Sequence, residues 1–130
     1  MYRSRLDSDL SDVTLDYVSS INDDSEIAFY DIIGSQAHTL MLFQNNIITK
    51  NDVRKILTAL DNLKKEKFDS SSGAEDIHEL IESLVIKKAG MASGGKMHTA
   101  RSRNDQVVLD IRMKIRDDIN IICNCLLDTI

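Results

Sequence analysis

The chain has 130 residues, a formal net charge of −5 and 42% hydrophobic residues, enough apolar material for the core of one ordinary globular domain. It contains no Pro and no Trp, and because proline is the commonest interruption of helical patterning, the expected class is all-α rather than a turn-rich β fold. The acidic balance excludes a generic nucleic-acid surface, which needs clustered Lys and Arg to displace counterions. Met1 to Asp9 lacks the apolar stretch of a signal peptide, and no apolar run approaches bilayer length. A cytoplasmic protein with no membrane or nucleic-acid partner is expected.

In chain order, Leu10, Val13, Tyr17 and Val18 share one face of a short helix within residues 8–20. A longer helix follows, capped by Asp24 or Ser25 and ending near Asn45-Asn46, with Ile27, Tyr30, Ile33, Ala37, Leu40 and Met41 as its apolar face. Thr49-Lys50-Asn51-Asp52 resembles a capping box, with Ile48 and Val53 at the positions of a hydrophobic staple. The helix it starts runs through Ile56, Leu57, Leu60 and Leu63. The charged stretch Lys64-Lys65-Glu66-Lys67 and the loop Asp69 to Gly73 follow it. A fourth helix over roughly 75–89 points Ile77, Leu80, Ile81, Leu84 and Val85 inward, with Lys87-Lys88 in its last turn and Gly90 just past its end. After the loop 94–105, a final helix begins at Gln106 and carries Val107, Val108, Ile111, Ile115, Ile119, Ile122 and Leu126 at helical spacing. Apolar residues surround its far end, which calls for partners on more than one side and points to a truncated chain. Cys123 and Cys125, two apart on this helix, face different azimuths and do not suit a mutual disulfide.

The most chemistry-rich segment is Gly94 to Asp105, which packs Lys96, Arg101 and Arg103 among Thr99, Ser102 and Asn104 just ahead of a helix. Hydroxyl, guanidinium and amide donors at a helix N-terminus suit a carboxylate or phosphate. The same residues also suit an exposed, soluble helix start, and spacing alone leaves the two readings level. His98 reads as a loop residue bonded to backbone, His38 as structural, and Glu75-Asp76 as helix capping. No spacing of metal-ligand type is evident. Gly94-Gly95-Lys96 lacks the spaced glycine, the following Ser or Thr and the preceding strand of a nucleotide loop.

The string Gly95-Lys96-Met97-His98-Thr99-Ala100-Arg101-Ser102-Arg103-Asn104-Asp105-Gln106-Val107 resembles the first signature region of the argininosuccinate lyases, within the fumarase/aspartase superfamily. The likeness continues through Glu75-Asp76-Ile77-His78, Asp31 to His38 and Ser19-Ser20-Ile21, so nearly the whole chain is covered. Arg3-Ser4-Arg5-Leu6 departs from the family's usual Gly-Gly-Arg-Phe. Other superfamily enzymes, such as fumarase or adenylosuccinate lyase, match Thr99 to Arg103 less well.

The resemblance implies reversible β-elimination of argininosuccinate to arginine and fumarate, for arginine biosynthesis, by a homotetramer without metal or organic cofactor. It implies an N-terminal helical domain over residues 1–103, carrying the signature loop 94–105, and the start of a central helical bundle over 104–130. It places Ser20, Asn104, Ser102 and Arg103 at the substrate, with Arg101, Thr99, Asp76 and His78 supporting the pocket. The family's later Thr-His and Ser-Ser-x-Met-Pro segments have no counterpart before Ile130. With no catalytic proton-transfer residue expected in it, the chain alone is expected to be inactive. The alternative is a non-catalytic helical structural or oligomerisation module, much as the δ-crystallins look like lyases put to structural use.

Overall fold

A computed structural model describes residues 12–66, 68 and 73–130, with the side chains of residues 12, 15 and 16 left aside. Leu10, the arm Arg3 to Leu6, Lys67 and most of the loop 69–73 lie outside the described residues. The elements are α1 (Asp12–Val18), α2 (Ile21–Asp24), a 3₁₀ turn (Ser25–Ile27), α3 (Ala28–Gln44), α4 (Lys50–Leu63), α5 (Ile77–Ala89), α6 (Met91–Gly94) and α7 (Arg103–Leu127). Among the described residues there is no strand, as expected of an all-α chain.

α4 is the most regular element, and its sequence explains why. Thr49 Oγ1 accepts from the Asp52 N–H at 3.2 Å while Asp52 Oδ2 accepts from the Thr49 N–H at 3.1 Å, closing the capping box. Ile48 and Val53 both enter the core beside it. From there Ile56, Ala59, Leu60 and Leu63 recur at three and four residues and are almost wholly removed from water. They pack with Ile77, Leu80, Ile81 and Val85 of α5 and with Ile32 and Leu42 of α3. Burying each such aliphatic side chain contributes about 1.5–3 kcal/mol. Asp76 caps α5 by accepting from the Glu79 N–H at 2.6 Å, and Gly90 ends it at φ 82°, a value that favours glycine.

α3 corrects the sequence reading. Its buried side is Ala28, Asp31, Ile32, Ser35, Thr39 and Leu42, whereas Leu40 and Met41 of the expected face remain 44% and 38% exposed. An apolarity count misses this face because it turns a polar residue inward wherever neighbouring elements supply partners. Ser35, for instance, receives the Arg101 guanidinium at 3.2 Å, while Thr39 returns its hydroxyl to the Ser35 carbonyl of its own helix at 2.7 Å. No side chain caps α3 directly; Asp24 and Ser25 belong instead to α2 and the 3₁₀ turn before it. On α1, Val13 and Tyr17 of the expected apolar face are 81% and 91% exposed.

α7 crosses α3 where Gly34 permits a close approach, since a Cβ there would lie 3.2 Å from Leu109 Cδ2 and 3.4 Å from Asp110 Oδ1. Tyr30 donates to Asp117 at 3.0 Å and Lys114 reaches Glu26 at 3.3 Å, extending the seam along α7. Only Gln106 and Asp110 of α7 are buried. Ile115, Ile119, Ile122 and Leu126 stand exposed, and so do both cysteines, which are free thiols. Within this chain the apolar far end of α7 is thus exposed, and none of the described helices is long and apolar enough to cross a membrane.

Candidate functional site

The segment expected to be one loop from 94 to 105 is shorter and more structured. α6 closes at Gly94, turns occupy 95–100, and α7 begins at Arg103 rather than Gln106. Ser102 is the reason: in an extended conformation at φ −81°, ψ 141°, it caps α7 by accepting from the Asn104 N–H at 3.3 Å. Arg103, Asn104 and Asp105 thus form the first helical turn, and Ser102, Asn104 and Asp105 are exposed at the positive end of the helix dipole. Ala100 adopts a left-handed φ of 56°, which swings the chain from the turns into this cap.

Two anchors hold the segment. His38 Nε2 lies 2.9 Å from the Thr99 carbonyl, and because a carbonyl only accepts, the ring carries its proton on Nε2. Asp52, already closing the α4 capping box, also accepts from Ser93 Oγ at 2.9 Å and Lys96 Nζ at 2.8 Å. The Lys96 ammonium, then the Thr49 and Ser93 hydroxyls, hold the Asp52 carboxyl well below the usual carboxylate range. Lys96 is therefore directed at a protein carboxylate.

Arg103 also points inward. Its Nη1 donates to Gln106 Oε1 at 2.9 Å, Nη2 lies 3.5 Å from Glu82 and Nε 3.9 Å from Asp76. The guanidinium is thereby clamped between α5 and α7. Ser20 docks on the same end of α5 through its backbone, its N–H donating to the Glu75 carbonyl at 2.9 Å, while its hydroxyl donates to Asp24 of α2 at 2.6 Å. Residues 75–77 thus hold Ser20 on one side and, through Asp76, Arg103 on the other. Segments far apart in sequence meet around one helix start.

Beneath lies a cluster of which the sequence reading named His78 alone, as a supporting residue. Asp31, His78 and Asp110, from α3, α5 and α7, are 0–2% exposed. His78 Nδ1 stands 3.3 Å from Asp31 Oδ1 and 3.5 Å from Asp110 Oδ2. Burial alone would push the imidazole down, but Asp31 above all, with Asp76 and Asp110, outweighs it and raises the His78 pKa. Burial, reinforced by the Asp31 charge, pushes Asp110 up to about 7 against the pull of His78 and Arg101. By distance the three groups fit around a cation. Arg101 acts on both carboxylates, and the His78 imidazole is biased toward its charged form between them, so the cluster is read as a proton-sharing one.

Asp31 reaches further. Gln106 Nε2 donates to Asp31 Oδ1 in a short contact, and Gln106 Oε1 receives Arg103. Ser35 Oγ, which donates to Asp31 at 3.5 Å, receives both terminal nitrogens of Arg101 at 3.2 Å. The usable signal in the sequence is polar pairs four apart, Asp31 with Ser35 and Gln106 with Asp110, on helix faces that otherwise pack. Above them a cleft of about 440 Å³ opens between α3 and the start of α7, lined by His38, Met41, Arg101, Asp105, Gln106 and Leu109.

Comparison with known proteins gives a consistent result. The profile of a family described as "Lyase" matches residues 8–128. An argininosuccinate lyase of Nitrosopumilus maritimus is 82% identical over 130 residues, all of this chain and 27% of that protein. The argininosuccinate lyase of Methanothrix thermoacetophila is 47% identical over 111 residues, 85% of this chain and 23% of its own length. That of Methanocaldococcus jannaschii is 38% identical over 128 residues, 96% of this chain and 26% of its own. The chain spans about a quarter of the length of these relatives.

Proposed function

Because the chain belongs to this lyase family, we propose that it supplies one wall of an argininosuccinate lyase site, at which argininosuccinate is cleaved by β-elimination to arginine and fumarate. The observation that carries this reading is the cap at Ser102, which presents Ser102 and Asn104 outward at a helix N-terminus while Arg101 and Arg103 are fixed behind them. Removing a proton next to a carboxylate builds charge on that carboxylate. Donors already aimed at it stabilise the transition state more than the ground state. In this reading Asn104 and Ser20 touch substrate, Ser102 shapes the helix start, and Arg103 lends positive potential from its clamp.

Residues 1–103 then form a small helical domain, and 104–130 begin a central bundle in which the exposed side of α7 meets other helices of a cytoplasmic homotetramer. The proton-transfer groups are assigned to parts of the assembly outside this chain. The names of the relatives favour this reading over a non-catalytic module.

The test is a chimera in which this chain replaces the matching segment of the Nitrosopumilus maritimus enzyme, with fumarate absorbance as the assay. A folded chimera should release fumarate from argininosuccinate. Asn104→Asp, which turns a donor into a repelling charge, should lower kcat/KM about a hundredfold. A folded but inert chimera, or an unaffected Asn104→Asp variant, overturns the reading.

A further inference from the structure

We propose that Asp31 is a positioning residue for the substrate wall, the single carboxylate through which α3 sets the orientation of both signature arginines. The proposal rests on the lyase reading for its functional consequence and on geometry for everything else. Asp31 Oδ1 gathers Gln106 Nε2, the Ser35 hydroxyl and His78 Nδ1, the last at 3.3 Å. Each of the first two passes the constraint outward, since Gln106 Oε1 holds Arg103 at 2.9 Å and Ser35 Oγ holds Arg101 at 3.2 Å. Asp31 therefore stands one side chain away from Arg101 and one from Arg103, on opposite branches.

Amide polarity makes the arrangement directional. With its nitrogen held by Asp31, Gln106 keeps its oxygen toward Arg103. If Asp31 ceases to accept, the buried Gln106 gains by flipping, and a flipped Gln106 turns N–H groups toward the Arg103 guanidinium.

The other two buried groups keep Asp31 in that role. The His78 imidazole of α5 faces it at 3.3 Å, and Asp110 of α7 faces the same imidazole at 3.5 Å, so the two carboxylates compete for one ring. The charged groups facing this cluster are Arg101 from the loop and Asp76 from the start of α5. Ionisation of Asp110 at rising pH draws His78 and Arg101 away from Asp31, so binding of an anionic substrate should weaken as that charge appears.

Two arms test the proposal. In the chimera, Asp31→Asn keeps the volume but removes the charge and one acceptor, and kcat/KM should fall about tenfold or more. Combined with Gln106→Leu, the double variant should be no worse than Asp31→Asn alone, because the Gln106 branch is one of the two that Asp31→Asn already cuts. Asp110→Asn should flatten the rise in KM between pH 6 and 8. In the 130-residue chain itself, nuclear magnetic resonance should show the Gln106 side-chain amide and Arg103 Nε signals moving in Asp31→Asn. Losses that multiply in the double variant, or Gln106 and Arg103 signals that stay in place, overturn the proposal. If the unsubstituted chimera is folded but inert, the lyase reading fails, and the resonance arm still decides whether Asp31 orients the arginines.

Discussion

Replacing Asp52 by Ala removes a carboxylate that serves two elements at once, and the loss can be worked from its contacts. Asp52 is 5% exposed and closes the Thr49 capping box, a contribution of about 0.5–2 kcal/mol. Its loss leaves the buried Ser93 hydroxyl without its acceptor, which costs about 1–3 kcal/mol. The Lys96 side chain is 45% exposed, so that ion pair adds at most about 1 kcal/mol. The expected destabilisation at pH 7 is about 3 kcal/mol, a large part of the 5–15 kcal/mol typical of a domain. Urea unfolding of the 130-residue chain, followed by circular dichroism, measures it. The pH dependence fixes the sign independently: a carboxyl held below its ordinary value of 3.8 stabilises the fold above that pH and ceases to do so as pH falls toward the folded-state value. The gap between parent and variant should therefore narrow below about pH 4. A loss under about 1 kcal/mol at pH 7, or a gap that widens on acidification, would refute the reasoning.

Gly94→Ala should cost about 1–3 kcal/mol, because its Cβ would lie 2.7 Å from Ile86 Cα, a backbone atom that cannot step aside; an unchanged melting temperature would contradict this. Ala100→Gly relieves a left-handed residue by about 1–2 kcal/mol but adds about 0.5–1 kcal/mol of unfolded-state entropy, so stability should hold or rise slightly. A calorimetric drop of more than about 1 kcal/mol would show that φ at 100 is not strained. Asp110 carries a folded-state pKa raised to about 7 from 3.8, so its stabilising contribution is present below pH 4 and lost as pH rises through 7. Asp110→Asn should accordingly gain stability relative to the parent between about pH 4 and 7, and parallel denaturation curves across that window would exclude the shift.

By itself the sequence determined the helical class, the α4 capping box at Thr49 and Asp52, the stripe Ile56-Leu60-Leu63, and the end of α5 at Gly90. These are local: capping, propensity and apolar period act over three or four residues, so they can be read along one segment. That Ser102 to Asp105 stand at the start of a helix was equally visible, although the true start of α7 depended on Ser102 adopting the cap. Only the tertiary structure decided which side of α3 is buried, that Arg103 and Lys96 turn toward Glu82 and Asp52, and that Asp31, His78 and Asp110 meet. Each of those outcomes joins groups 30 or more residues apart or depends on partners brought by another helix. An inward Asp is costly until a His, Gln or Arg from elsewhere arrives to meet it. Periodicity records what a helix carries, whereas the value of burying a polar group is set by its neighbours.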